Sequence, residues 1–84
     1  MNMELIVRTT RQLANAIRVR RRKLGLSQDQ LAAKIGVRQG TLSDIENARS
    51  ARLDTLLRIF AVLDLELLVR ERTKSSADDI EAIF

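Results

Sequence analysis

An all-α fold of four to five helices, followed by one short strand, is expected from three features of this 84-residue sequence. There is no proline and there are only three glycines, whereas the turns that join strands favour both residues. Apolar residues recur at helical spacing over most of the chain. Thr9 with Gln12 and Ser27 with Gln30 have the hydroxyl-x-x-Gln spacing of capping boxes, and each precedes an apolar stripe. With 45% hydrophobic residues, a chain of this length forms one domain with a small core, near the margin of independent stability, which dimerisation would relieve.

The first helix is expected over residues 10–24. Leu13, Ala16, Ile17 and Leu24 share a face, and Gly25 follows where a left-handed residue is wanted. The second spans 28–35, with Leu31, Ala32 and Ile35 inside and Gly36 closing it. Only Gly36, Val37 and Arg38 precede the next stripe, and so short a connection forces the two helices to cross steeply. The third helix is expected over 38–47, with Leu42 and Ile45 inside and Asn47 ending it in a left-handed conformation. Leu53, Leu56, Leu57, Phe60 and Leu63 give the stripe of a fourth helix, with Asp64 as its stop.

Beyond Asp64, Leu65, Leu67 and Val69 alternate with Glu66, Leu68 and Arg70. Period two marks a short strand, whose edge needs a partner, and residues 4–7 are the one further strand-like stretch. Residues 1–72 therefore read as one domain and 73–84 as an acidic tail, in which Ile80, Ile83 and Phe84 share one face of a short helix.

Composition excludes several classes of function. The chain has no cysteine and no histidine, which removes disulfides, thiolate chemistry and the commonest zinc ligands. No metal or cofactor is expected. A hydroxyl nucleophile needs a positioned base, and no such set is present, so an enzyme is not expected. Residues 1–8 carry no long apolar segment of a secretory signal and no run is long enough to span a bilayer; a cytoplasmic protein is expected. Charge is divided unevenly. Residues 1–52 hold eleven Lys/Arg against four Asp/Glu, net +7, and 53–84 hold four against seven, net −3. The first part suits a polyanion.

The third helix carries Arg38, Gln39, Thr41, Ser43 and Asp44 on the sides away from Leu42 and Ile45. An α-helix fits the major groove of DNA, and Arg and Gln suit bidentate reading of guanine and adenine. Arg38 and Gln39, at the N-terminal end, are the foremost candidates for base reading, then Thr41 and Ser43, with Gly40 leaving room for close approach. Asp44 either accepts from cytosine or repels phosphate. Ser27 and Gln28 open the second helix, where free N–H groups and the helix dipole favour a phosphate, although the Ser27 hydroxyl equally suits capping alone. Arg18, Arg20, Arg21, Arg22 and Lys23 form a basic run that suits electrostatic steering.

The run Leu24-Gly25-Leu26-Ser27-Gln28-x-x-Leu31-Ala32-x-x-Ile35-Gly36-Val37, continued by Thr41-Leu42-Ser43-x-Ile45-Glu46-Asn47, resembles the Cro/C1 (XRE-type) helix-turn-helix family over residues 11–63. The resemblance implies phosphate contacts from Gln28 and Asn47, and a partly buried structural ion pair between Arg21 and Glu46. Ala48 departs from the pattern, since the family usually has glycine there. With the opening Thr10-Arg11-Gln12-Leu13-Ala14-Asn15-Ala16-Ile17 and the strand-like segment 65–72, the whole chain is similar to the HipB-type antitoxins.

That similarity implies a homodimer on an inverted-repeat DNA operator, with Leu65, Leu67 and Val69 at a strand pairing across the dimer axis. It also implies a HipA-type kinase toxin as partner, with Ile80, Ile83 and Phe84 as candidates for its anchor. Two other readings of the tail stay open at this point: a fold-back onto the fourth helix, or an end without a role. A stand-alone XRE-type regulator or restriction-controller protein with no toxin shares every feature of the DNA-binding core.

Overall fold

The computed structural model describes residues 3–73. They form four helices: α1 (Thr10–Lys23), α2 (Gln28–Ile35), α3 (Gln39–Glu46) and α4 (Leu53–Val62). Helix α2 packs against both α3 and α4, and α1 against α3. Ile17, Leu31, Leu42, Ile59 and Leu63 are fully enclosed at the centre. Each such side chain stabilises the fold by about 1.5–3 kcal/mol relative to exposure.

Both expected capping boxes form. Thr9 Oγ1 accepts from Gln12 N at 3.1 Å while Gln12 Oε1 accepts from Thr9 N at 3.1 Å. Ser27 Oγ accepts from Gln30 N at 3.0 Å and Gln30 Oε1 from Ser27 N at 2.8 Å. Each pair satisfies donors that the first helical turn leaves without intrahelical acceptors.

All four helices end in the same way. A left-handed residue, Gly25, Gly36, Ala48 or Asp64, reverses the chain. The next N–H then reaches five residues back: Leu26 to Arg21, Val37 to Ala32, Arg49 to Asp44, and Leu65 to Phe60, at 2.8–3.1 Å. These are Schellman closures, and only two of the four use glycine. Arginines from neighbouring helices cover further terminal carbonyls. Arg18 Nη2 donates to Glu46 O at 2.8 Å, Arg20 Nε to Leu63 O at 2.9 Å, and Arg58 Nη1 to Ile35 O at 2.7 Å. A cation at a helix C-terminus also complements the dipole.

The structure departs from expectation in several places. Helix α3 is one residue shorter at each end, because Arg38 is its N-cap and Asn47 its C-cap. Asn47 has φ −99° and is not left-handed; Ala48, with φ +64°, makes the reversal instead. Leu24 is exposed, since α1 stops at Lys23 and the chain turns away. On α4, Leu53 and Leu57 face outward, and the inward positions belong to Thr55, Ile59, Phe60 and the following Leu63. The basic run on α1 is not a uniformly solvated face: Arg18, Arg20 and Arg21 are committed to bonds within the protein. Residues 65–73 form no helix, and no strand ladder occurs among the described residues. The expected short helix of the tail, with Ile80, Ile83 and Phe84, lies outside the described residues.

Candidate nucleic-acid interface

The short link Gly36–Val37–Arg38 sets α3 across α2 and leaves one flank of α3 open. Leu42 and Ile45 bury its inner side. Arg38, Gln39, Gly40, Thr41 and Asp44 are exposed, and Ser43 is half-buried. The expected division of this helix into core and solvent faces is therefore met. Gly40 faces open space, with no atom near where a Cβ would stand.

Beneath the open face lies the Arg21–Glu46 pair. Arg21 is 7% exposed and Glu46 3%. The guanidinium grips the carboxylate with both branches, Nε to Oε2 at 2.7 Å and Nη2 to Oε1 at 2.9 Å. Such a two-pronged, charge-assisted arrangement fixes orientation as well as energy. Arg21 Nη1 also donates to Leu26 O at 2.8 Å, so the same side chain ties α1 to the turn before α2.

Burial alone pushes the Glu46 carboxyl up. Hydrogen bonds from Arg21 and Gln28, with the charges of Arg21 and Arg18, outweigh that and hold it below the ordinary carboxylate range. The Arg21 guanidinium is raised by its hydrogen bonds to Glu46, in spite of burial. Both groups are charged at neutral pH.

The pair connects to the surface through two amides. Gln28 Nε2 donates to Glu46 Oε1 at 3.2 Å, and Gln39 Nε2 donates to Gln28 Oε1 at 2.6 Å. Two residues assigned separate tasks from the sequence, Gln28 and Gln39, thus form one chain of bonds anchored on Glu46. Two of the other candidates are also engaged. Asn47 Nδ2 donates to Ser43 O at 2.9 Å, and Asp44 lies 3.8 Å from Arg49 in an exposed ion pair. Sequence reasoning missed Arg18, which reaches both the Glu46 backbone and, at 3.7 Å, its carboxylate. Its place one turn before Arg21 on α1 was the available signal.

Leu65 is partly buried against its own core, whereas Leu67 and Val69 are 60% and 87% exposed. No helix among the described residues is long and apolar enough to cross a membrane.

A helix-turn-helix family model matches residues 17–69. The antitoxin HipB of Escherichia coli strain K12 is 35% identical over 71 residues, covering 83% of this chain and 81% of its own length. The chain belongs to the HipB antitoxins of the helix-turn-helix family. HipB in the HipB–O4 20mer complex matches with a TM-score of 0.74 at 33% identity, over 84% of this chain and 100% of that one. HipB in the HipA–HipB–O2–O3 complex matches with a TM-score of 0.73, again at 33% identity and over 84% and 100% of the two chains. The HipB likeness thus extends through the helical domain.

Proposed function

We propose that this protein is a DNA-binding repressor that controls its own operon and serves as the antitoxin of a HipA-type kinase toxin. The observation that carries the DNA reading is the open face of α3. Arg38, Gln39 and Thr41 stand in solvent on a helix whose inner side and C-terminus are locked. Arg38 and Gln39 read base edges at the start of the helix, Thr41 and Ser43 assist, and Asp44 accepts from cytosine when Arg49 turns to a phosphate.

Phosphates are held beside them. Ser27 Oγ accepts from Gln30 and keeps its own O–H to donate. Gln28 and Asn47 each spend one amide N–H within the protein, which leaves the second for a phosphate oxygen. The likeness to HipB in the O4 20mer complex supports this reading.

The protein acts as a homodimer in which residues 65–70 of two copies pair as strands. Leu67 and Val69 then leave solvent beside Leu65. Two α3 helices about 34–36 Å apart meet successive major grooves of an inverted repeat. The toxin reading is supported by the likeness to HipB in the HipA-containing complex. In it, residues 73–84 form a separate acidic tail, and Ile80, Ile83 and Phe84 supply the anchor. Aromatic side chains are enriched among such hot spots.

Deleting Ile83 and Phe84 from the full chain tests both halves. DNA affinity is expected to stay unchanged while capture of the co-encoded toxin weakens at least tenfold, since an aromatic anchor is worth about 2 kcal/mol or more. Undiminished toxin capture would remove the tail from that role, and a parallel loss of DNA affinity would place it in the dimer instead.

A further inference from the structure

Two segments with exposed apolar centres match one another position by position in residue class. Residues 4–8 read Glu-Leu-Ile-Val-Arg, and residues 66–70 read Glu-Leu-Leu-Val-Arg. Each is an apolar triplet closed by an acid on one side and an arginine on the other. Set antiparallel with Ile6 opposite Leu68, they place Glu4 opposite Arg70 and Arg8 opposite Glu66. Leu5 then meets Val69 and Val7 meets Leu67, on the face that carries Leu65. Directly opposed apolar and opposite-charge pairs are the units that stabilise a sheet.

Other arrangements lose this match. The same centre in a parallel arrangement sets Glu4 against Glu66 and Arg8 against Arg70. A one-residue slip sets Glu4 against either Val69 or Glu71. A slip also moves every side chain to the opposite face.

The apolar side chains of both segments lie in solvent within one chain: Leu5, Ile6, Leu67, Leu68 and Val69 are each more than half exposed. Among the described residues, no backbone hydrogen bond joins 3–8 to 65–73. A strand has two edges. The dimer pairing proposed above covers one edge of residues 65–70 and leaves the other open, which is a liability for any sheet.

We infer that residues 4–8 of one protomer pair antiparallel with residues 66–70 of the second copy, on the edge away from the dimer axis. The inference rests on the dimer reading and extends it from two strands to four. The occupant is a second copy of this chain, because no backbone hydrogen bond joins the two segments among the described residues of a single chain, and because their charges select one direction and one register. The outer edge of the resulting sheet is a five-residue strand ended by Glu4 and Arg8, short and charged as protected edges are.

The chain has no cysteine, so crosslinks can be placed at will. A size-tagged Ile6→Cys chain and an untagged Leu68→Cys chain are refolded together and oxidised. The expected product is a covalent dimer of mixed size. Its absence, while sedimentation still finds a dimer, overturns the outer strand and leaves the dimer reading intact. Monomers in sedimentation overturn both. In a chain carrying both substitutions, an internal disulfide giving covalent monomers overturns the exchange between copies. Charge reversal supplies a second route that leaves the apolar triplets untouched. Glu4→Arg or Arg70→Glu alone is expected to weaken dimerisation about two- to fivefold, and the two together to restore it. Two single effects that add without restoration overturn the register.

Discussion

At the scale of residues, Glu46 is the point on which the most depends. It is buried, it holds Arg21 with both oxygens, and Gln28 and Arg18 converge on it. Taking two charges out of water is costly, and their attraction repays it only when geometry and extra hydrogen bonds are good. Here both conditions hold, and no buried side-chain nitrogen or oxygen among the described residues lacks a partner. Removing one member is another matter, because the survivor stays buried and unpaired. Glu46→Ala is therefore expected to cost about 3–5 kcal/mol in urea unfolding. Replacing both members, as in Arg21→Met with Glu46→Leu, is expected to recover most of that loss.

The pH dependence has a definite sign. The folded Glu46 carboxyl titrates below its ordinary value of 4.5, so its stabilising contribution is complete above that pH. It is lost as pH falls through the lower folded value. Unfolding measured from pH 7 down to 3 is expected to show this loss in the wild type and a flatter profile in the double replacement. An equal decline in both would show that other carboxylates dominate acid sensitivity.

At the scale of elements, helix ends were the most legible features of the sequence where they depend on local chemistry. The capping boxes at Thr9–Gln12 and Ser27–Gln30 and the left-handed Gly25 and Gly36 could be placed from neighbours alone. Ala48 could not, because an alanine has no preference for positive φ; the Schellman bond from Arg49 to Asp44 imposes it. The outward turn of Leu53 and Leu57 was hidden for a different reason. Both lie on a leucine-rich helix whose apolar stripe is wider than the core it meets. The destinations of Arg18, Arg20 and Arg58 depend on which helix ends the fold brings near them, and no local pattern carries that information. The bond from Gln39 to Gln28 was hidden in the same way, although each residue was singled out by itself.

The strain at Ala48 leads to a prediction. A non-glycine residue at φ +64° costs roughly 1–2 kcal/mol, against the greater chain entropy that glycine loses on folding. Ala48→Gly is expected to stabilise the protein by about 0.5–1 kcal/mol, seen as a rise in Tm. A fall in Tm would show that packing of the Ala48 methyl outweighs the backbone term.

At the scale of the whole molecule, charge and exposed apolar surface are segregated. The basic excess lies in residues 1–52, which hold the proposed DNA-reading helix, and the acidic excess lies in 53–84. The apolar side chains of 67–69 stand in solvent in a single chain. A small domain gains stability from covering such a surface with a second copy, and a two-fold axis sets two reading helices for an inverted repeat. Val69→Lys is expected to shift sedimentation towards monomer and to weaken DNA binding with it, while each chain keeps its helical content. A fully dimeric Val69→Lys would remove residues 65–70 from the interface.

In the proposed mode of binding, the start of α3 reads bases while the start of α2 holds phosphate. Competition binding to the inverted repeat ahead of the gene, against scrambled DNA at several salt concentrations, tests it most directly. The wild type is expected to discriminate, with log affinity falling by about 0.9 per phosphate neutralised by Lys or Arg for each unit of log salt. Gln39→Ala is expected to lose about 1–3 kcal/mol of discrimination and to keep the salt slope. Gln28→Ala is expected to weaken all sequences about equally and, since a neutral amide releases no counterion, to leave the slope nearly unchanged. Full selectivity in Gln39→Ala would remove the start of α3 from base reading, and a flat salt slope in the wild type would rule out binding through phosphates.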